Sequence, residues 1–121
     1  MPVERLTVER LKRRADFLLV AGSRRKYVTP AFVLQARMRD DVPGLEVRIG
    51  FTATRKIGSA VQRNRARRRL REAARATLPL AATPGSDYVL VARAAALTHP
   101  YATIVADLRK ALAALVPKGS P

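Results

Sequence analysis

Arginine is concentrated between residues 55 and 76, in the segment RKIGSAVQRNRARRRLREAARA. Nine of the 24 lysine and arginine residues lie there against one acid, Glu72, so the segment carries more than half of the formal net charge of +15. So many guanidinium groups repel one another unless a polyanion neutralises them, and nucleic acid is the usual polyanion for such a surface. The chemistry that this segment predicts is the binding of phosphates.

The spacing within the segment predicts an amphipathic helix from Ala60 to Ala76. At about 100° per residue, a narrow arc is apolar and a broad arc is basic. The apolar arc consists of Ala66, Leu70, Ala73 and Ala74, and the basic arc contains a row at four-residue spacing, Arg63, Arg67, Arg71 and Arg75. The basic part of such a helix is about 20 Å long, enough to reach several phosphates.

A solvated helix face and a membrane-surface helix are the two other interpretations of this segment. A charged helix face is often simply solvated, but here the charges do not alternate in sign and few acids stand four residues away to offset the repulsion. A helix lying on a membrane surface would need bulky apolar residues, and this arc holds one leucine, Leu70, among alanines. We favour the nucleic-acid interpretation.

The types and positions of the other reactive residues predict no catalytic residue in the chain. His99 is the single histidine and precedes Pro100, which favours a turn or capping role. The acids are scattered, and the adjacent pair Asp40 and Asp41 lies before Pro43 in a segment typical of a solvated turn. A two-metal nuclease site would need several converging carboxylates.

Length and composition predict one domain over residues 1–121, with residues 1–12 and 117–121 extended or flexible. Cysteine is absent, which excludes disulfides and Cys-ligated metal sites. The sequence shows no signal peptide and no apolar run of membrane-spanning length. We therefore expect a cytoplasmic protein with no membrane association and no obligate protein partner.

The elements that position the basic helix follow from hydrophobic periodicity. A short helix is predicted over 13–21, strands over 27–39 with an interruption near Pro30 and over 45–54, and a turn at 40–44 between them. The basic helix should end near Leu78 and Pro79 and be followed by a strand over 87–93 and a helix over 101–116. The order α-β-β-β-α-β-α predicts an α/β (α+β) two-layer sandwich, in which helices cover one face of a small sheet.

The segment RKIGSAVQRNR, with KRRADFLLV upstream and YVLVAR downstream, resembles the bacterial ribonuclease P protein subunit family. That family carries a strand leading into K-K-I-G-x-A-V-x-R-N-R, then basic residues and a final R-E or R-Q. The match over 55–72 is nearly position by position, and the pair Asp16-Phe17, the strand with Phe32 and the strand with Asp87 follow the family order. The resemblance therefore spans almost the whole chain.

The resemblance implies a fold, partners and a reaction. The fold is a mixed four-stranded sheet with about three helices and a left-handed βαβ crossover, against the usual right-handed rule. The partners are a catalytic RNA subunit and precursor tRNA. The RNA subunit, with Mg²⁺ held mainly by RNA, hydrolyses the phosphodiester that joins the 5′ leader to mature tRNA. The chain would thus be an enzyme component, of an endoribonuclease, without catalytic residues of its own.

Family roles carry over onto particular positions. The RNA-binding positions are Arg55, Lys56, Arg63, Asn64, Arg65, Arg67, Arg68 and Arg71. Lys56 would also lie near the leader, and Asn64 matches an asparagine implicated in metal binding, where its amide oxygen could hold a hydrated Mg²⁺. The cleft for the single-stranded leader would contain Phe17, Gln35 and Thr52. Phe17 could instead be an ordinary core residue, and Asn64 ordinary helix-surface polarity.

This chain departs from the family pattern at two positions. Many family members have aromatic residues where this chain has Gln35 and Ala21, so stacking on the leader should be weaker or less base-selective here.

The sequence leaves three rival functions open. A ribosomal or ribosome-assembly protein would share the charge, size and architecture. A stand-alone nuclease is a further alternative, and a DNA-binding protein ranks last because no helix-turn-helix is recognisable.

Overall fold

The computed structural model describes residues 5–39 and 44–117. Within them, five strands and three α-helices alternate with two short 3₁₀ turns. The strands are β1 (Val8–Arg10), β2 (Lys26–Val28), β3 (Phe32–Met38), β4 (Val47–Ala53) and β5 (Ser86–Ala92). The helices are α1 (Arg14–Gly22), α2 (Ala60–Ala81) and α3 (Tyr101–Ala114), and the 3₁₀ turns are Arg55–Ile57 and Ala94–Leu97.

The strands form one mixed sheet in the order β1-β4-β5-β3-β2. β4 pairs in parallel with both β1 and β5, whereas β3 runs antiparallel to β5 and to β2. Since β4 and β5 are parallel neighbours, α2 is the crossover that connects them. The parallel pairing places the end of β4 and the start of α2 at one edge of the sheet.

Helices α2 and α3 cover one face of the sheet and bury the main core. The alternation along the strands selects this face: Phe32, Leu34 and Ala36 of β3 are buried, whereas the residues between them are half-buried. From α2 and α3 the same core receives the buried side chains Leu70, Leu78, Ile104, Leu108 and Leu112.

Helix α1 packs on the opposite face of the sheet, over a smaller core. This second core contains Leu11, Val20 and Val89, with Phe17 packed against it. Gly50 makes the contact possible, because a Cβ at that position would lie 2.4 Å from the Phe17 ring. α1 leaves part of this face open, since Val33, Gln35 and Thr52 remain half-exposed.

Local sequence fixes the start of α2. Ser59 is the N-cap: its hydroxyl accepts a hydrogen bond from the Gln62 N–H, and the Gln62 side chain accepts one from the Ser59 N–H, which is a capping box. Gly58 adopts a φ of +140° at the same junction, and a side chain there would collide with Gln62. The turn after β4 therefore leads α2 away at a defined angle.

The structure confirms the α+β class and corrects several expectations. The sheet has five strands rather than four, because Val8–Arg10 pairs with Val47–Ile49 at the edge instead of fraying. The predicted sandwich has helices on one face of the sheet only, whereas in the structure α1 packs on the other face and forms a second, smaller core there. The predicted turn at 40–44 lies mostly outside the described residues. The left-handed crossover stays an expectation from the resemblance.

The basic helix is also longer than its sequence predicts. It continues through Pro79 to Ala81, although proline removes one helical hydrogen bond. Leu78 beside it is completely buried, and the Pro79 carbonyl accepts a hydrogen bond of 2.8 Å from the Leu6 N–H, which ties the start of the chain to the helix.

Candidate nucleic-acid interface

The predicted apolar and basic arcs of α2 are both present. Ala66, Leu70, Ala73 and Ala74 are buried at 4% exposure or less. Of the eight predicted RNA-binding residues, Arg55, Lys56, Asn64, Arg65 and Arg68 are exposed, whereas Arg63, Arg67 and Arg71 are half-buried. All eight thus lie on the turn after β4 or on α2, and none of them is buried.

Part of this set is held by contacts within the protein. The Arg63 guanidinium donates to the Gly58 carbonyl at 2.9 Å, and the Arg67 guanidinium donates to the Asn64 side-chain oxygen. The Arg71 guanidinium carbon lies 5.5 Å from the centre of the Phe51 ring. These contacts orient half-buried arginines without neutralising them, because their partners are neutral.

Arg69, in the same run, faces a different environment. Its guanidinium donates to the carbonyls of Ala96 and His99, at 2.6 Å each. These carbonyls belong to the short turn that precedes α3, so Arg69 links α2 to the start of α3. His99 takes part through its backbone, next to the N-cap residue Pro100, as its position before a helix predicts.

The predicted leader-cleft residues lie on the α1 face of the sheet. Gly50, Val89 and Gln35 are register partners in a row across β4, β5 and β3. Phe17 covers Gly50, so Gln35 stands two strands away, about 10 Å along the row. Thr52 is two residues further along β4 and points to the same face. The structure thus brings Phe17, Gln35 and Thr52 onto one face, with Phe17 partly in the small core.

The two predicted surfaces therefore lie on opposite faces of the sheet. The basic helix packs on one face and the cleft candidates lie on the other. Arg55 and Lys56 occupy the edge between them, directly after β4.

An ion-pair network borders the cleft face. Asp87 is completely buried, and its carboxylate accepts hydrogen bonds from Arg39 at 2.7 Å and from Arg48 at 2.6 and 2.8 Å. Arg48 also lies 3.6 Å from the Asp16 carboxylate of α1. The hydrogen bond to Asp87 raises the pKa of Arg48 above its ordinary value, against the opposing effect of desolvation. The network ties α1, β4 and β5 to Arg39, the residue that follows β3.

The residues around Asn64 do not by themselves fit a magnesium site. The Asn64 oxygen already accepts a hydrogen bond from Arg67, and its helix neighbours Arg63, Arg65 and Arg68 are cations. Protein sites for Mg²⁺ normally supply one or two carboxylates. Across residues 5–39 and 44–117, no group of three or more His, Cys, Asp or Glu side chains is placed to hold a metal ion.

The fold brings two further arginines beside Arg71: Arg10 of β1 and Arg75 of α2 both line a pocket there. The spacing had placed Arg75 in the four-residue basic row, although it was not among the eight RNA-binding positions. Arg10 was not predicted, because it lies in a segment whose strand the sequence did not indicate. No helix in the described part of the chain is long and apolar enough to cross a bilayer.

Comparisons with known proteins agree over nearly the whole chain. The family model described as Ribonuclease P matches residues 7–116. A protein from Paramagnetospirillum magneticum named "Ribonuclease P protein component" is 47% identical over 107 residues, which cover 87% of this chain and 80% of that protein. A protein of the same name from Gluconacetobacter diazotrophicus is 50% identical over 103 residues, covering 85% of this chain and 87% of that protein.

A solved structure gives the same result at the level of the fold. The ribonuclease P protein from Thermotoga maritima superposes with a TM-score of 0.74 at 26% identity, over 90% of this chain and 99% of that one. The sequence match and the shared fold show that this chain belongs to the ribonuclease P protein family.

Proposed function

We propose that the chain acts in the ribonuclease P ribonucleoprotein, where it binds the catalytic RNA subunit through α2 and the 5′ leader of precursor tRNA through the open face of the sheet. The observation that carries the proposal is the basic surface of α2, whose apolar arc is buried while Arg65, Arg68 and Arg75 are exposed and the other arginines are at least partly accessible. Family membership supports the same assignment, because its members are components of a tRNA-processing endoribonuclease.

The contribution of this chain to the reaction is binding and positioning. Arginines on one side of a rigid helix neutralise phosphates of a folded RNA and fix its orientation. Gln35 and Phe17, half-exposed on either side of the buried Val89, offer a surface to a single strand, with only one aromatic side chain for stacking. In this proposal the RNA subunit, with Mg²⁺ bound by RNA, hydrolyses the phosphodiester. Asn64 binds no metal in this scheme and takes no part in the chemical step.

Reconstitution tests the proposal. The protein, purified free of RNA, is incubated at low Mg²⁺ with a precursor tRNA, alone or with the catalytic RNA from the same organism. We expect the protein alone to cleave nothing, and the mixture to release the leader and give a mature 5′ end. Cleavage at that position by protein alone would indicate a stand-alone nuclease. A protein that fails to bind the catalytic RNA would contradict the proposal.

The cellular location and the exclusion of a ribosomal role can be tested separately. Location in the cytoplasm, where precursor tRNA is processed in bacteria, follows from the function and can be checked by fractionation. A ribosomal role, the main rival from sequence, has no support in the family match over residues 7–116. Identification of the RNA that copurifies after a moderate salt wash distinguishes the two.

A further inference from the structure

A pocket of about 360 Å³ opens between β1, β4 and α2, on the face of the sheet opposite to the predicted leader cleft. This volume lies in the lower part of the range for sites that hold small molecules, roughly 300–1,000 Å³. Its wall is mainly apolar and is formed by Leu6, Val8, Ile49, Phe51, Ala74 and Pro79. The pocket therefore offers an apolar surface next to the most basic helix of the protein.

The rim of the pocket is strongly cationic. Arg10, Arg71 and Arg75 contribute three guanidinium groups, and Glu9 is the one acid among the lining residues. Arg71 lies over the Phe51 ring, with 5.5 Å between guanidinium carbon and ring centre, and its buried Nε atom has no hydrogen-bond partner among the described residues. The aromatic ring, rather than a protein acceptor, thus holds this guanidinium beside the pocket.

We propose that this pocket receives one unstacked nucleotide of the RNA that α2 binds. The base lies against Phe51 and Arg71, and its phosphate is bound by Arg10 and Arg75. The inference rests on the proposed function and adds a specific nucleotide site to it. Bases that are splayed out of an RNA stack on aromatic rings and on guanidinium planes, which are the two groups that Phe51 and Arg71 present.

Charge and position select this occupant over others. Arg75 already pairs with Glu72 at 3.0 Å. An apolar peptide would fill the wall but would leave the guanidinium groups of Arg10 and Arg71 without an anion, and a simple inorganic anion would leave the apolar wall uncovered. The pocket also lies beside Arg71 and Arg75, the last two residues of the four-residue row on α2. An RNA strand that follows this row reaches the pocket without a change of direction.

The first test compares Phe51→Leu with Phe51→Tyr in equilibrium binding to the catalytic RNA of the same organism. Leucine keeps an apolar side chain but removes the ring, whereas tyrosine keeps the ring. We expect Phe51→Leu to weaken binding about tenfold, which corresponds to the loss of one stacked base, with the salt dependence nearly unchanged. Phe51→Tyr should bind within about twofold of the unchanged protein.

The second test removes a charge from the exposed strand β1, where folding is less at risk. Arg10→Gln should reduce the slope of log affinity against log salt by about one, because it removes one phosphate contact. Arg109→Gln, an exposed change on α3, is the matched control and should leave the slope unchanged. Chemical mapping of the bound RNA should show one protected nucleotide that is lost with Phe51→Leu and recovered with Phe51→Tyr.

The outcomes separate this inference from the proposed function. Suppose that the unchanged protein binds the RNA with a steep salt dependence, and that Phe51→Leu and Arg10→Gln match it in affinity, in salt slope and in the pattern of protected nucleotides. The nucleotide site is then wrong, and the proposed function stands. If the unchanged protein does not bind the RNA, the proposed function fails first. Should Phe51→Leu unfold, Arg10→Gln and its control still decide the question.

Discussion

Asp87 is the residue on which the second face of the sheet depends. Its carboxylate is completely buried between Arg39, whose side chain is 1% exposed, and Arg48, whose side chain is 26% exposed. Taking charges out of water is costly, and here three groups compensate one another through short hydrogen bonds. Removing the carboxylate would leave the buried Arg39 without its ionic partner.

We therefore expect Asp87→Asn to lower the free energy of unfolding by about 3–5 kcal/mol, the usual cost of an uncompensated buried charge. Urea denaturation measures the change. The control is Glu72→Gln, which breaks the Glu72–Arg75 ion pair on α2; those side chains are 52% and 68% exposed, so it should cost less than about 1 kcal/mol. Similar losses in both variants would show that the network contributes little.

Gln35 is the residue that best probes the predicted leader path. It lies half-exposed on β3, on the face opposite to the main core, beside its register partner Val89. Gln35→Tyr adds an aromatic surface without disturbing the core, and stacking of one base contributes about 1–3 kcal/mol. We expect tighter binding of leader-bearing precursor tRNA and unchanged binding of mature tRNA, both measured with the reconstituted complex. Equal effects on the two RNAs would place the leader elsewhere.

At the scale of elements, α2 has two functions that its sequence does not separate. Arg68 is exposed and points away from the core, whereas Arg69 donates two hydrogen bonds to the turn before α3. Both belong to the same run of arginines. The helical periodicity predicts which residues of α2 are buried. It cannot predict the hydrogen bonds of Arg69, because the two carbonyls that accept them, those of Ala96 and His99, come from a distant part of the chain.

These neighbours make a matched pair of variants. Arg69→Ala should lower the free energy of unfolding by about 2–3 kcal/mol, because charged hydrogen bonds to two carbonyls are lost, with little change in the salt dependence of RNA binding. Arg68→Ala should do the reverse, reducing the salt slope by about one and leaving stability unchanged. Thermal unfolding and RNA titration are needed for both. A loss of stability in Arg68→Ala, or of slope in Arg69→Ala, would contradict these assignments.

The elements show which features the sequence could predict. The strands on either side of Pro30 and the apolar arc of α2 were predicted correctly, because each depends on local sequence signals. β1 was not predicted, since three residues, Val-Glu-Arg, show no period and pair only because β4 offers an edge. The pocket at Phe51 was missed for the same reason, as one of its walls is β1.

At the scale of the whole molecule, a formal charge of +15 on 121 residues affects folding and binding in opposite ways. Within the free protein, like charges repel one another and disfavour the folded state, so salt that screens them is stabilising. On RNA, the same charges release condensed counterions, so salt weakens the complex. The two effects share one origin, the basic surface of α2 and the turn before it.

We predict that salt shifts these two properties in opposite directions. If about six arginines neutralise phosphates, raising NaCl from about 0.05 M to about 0.2 M should weaken binding to the catalytic RNA about a thousandfold. Over the same range the urea midpoint of the free protein should rise, because screening relieves repulsion along α2. Fluorescence or electrophoretic titration measures the affinity, and circular dichroism measures the midpoint. An affinity that hardly depends on salt would rule out the electrostatic interface, whereas an unchanged midpoint would mean that repulsion among the arginines is already relieved in the free protein.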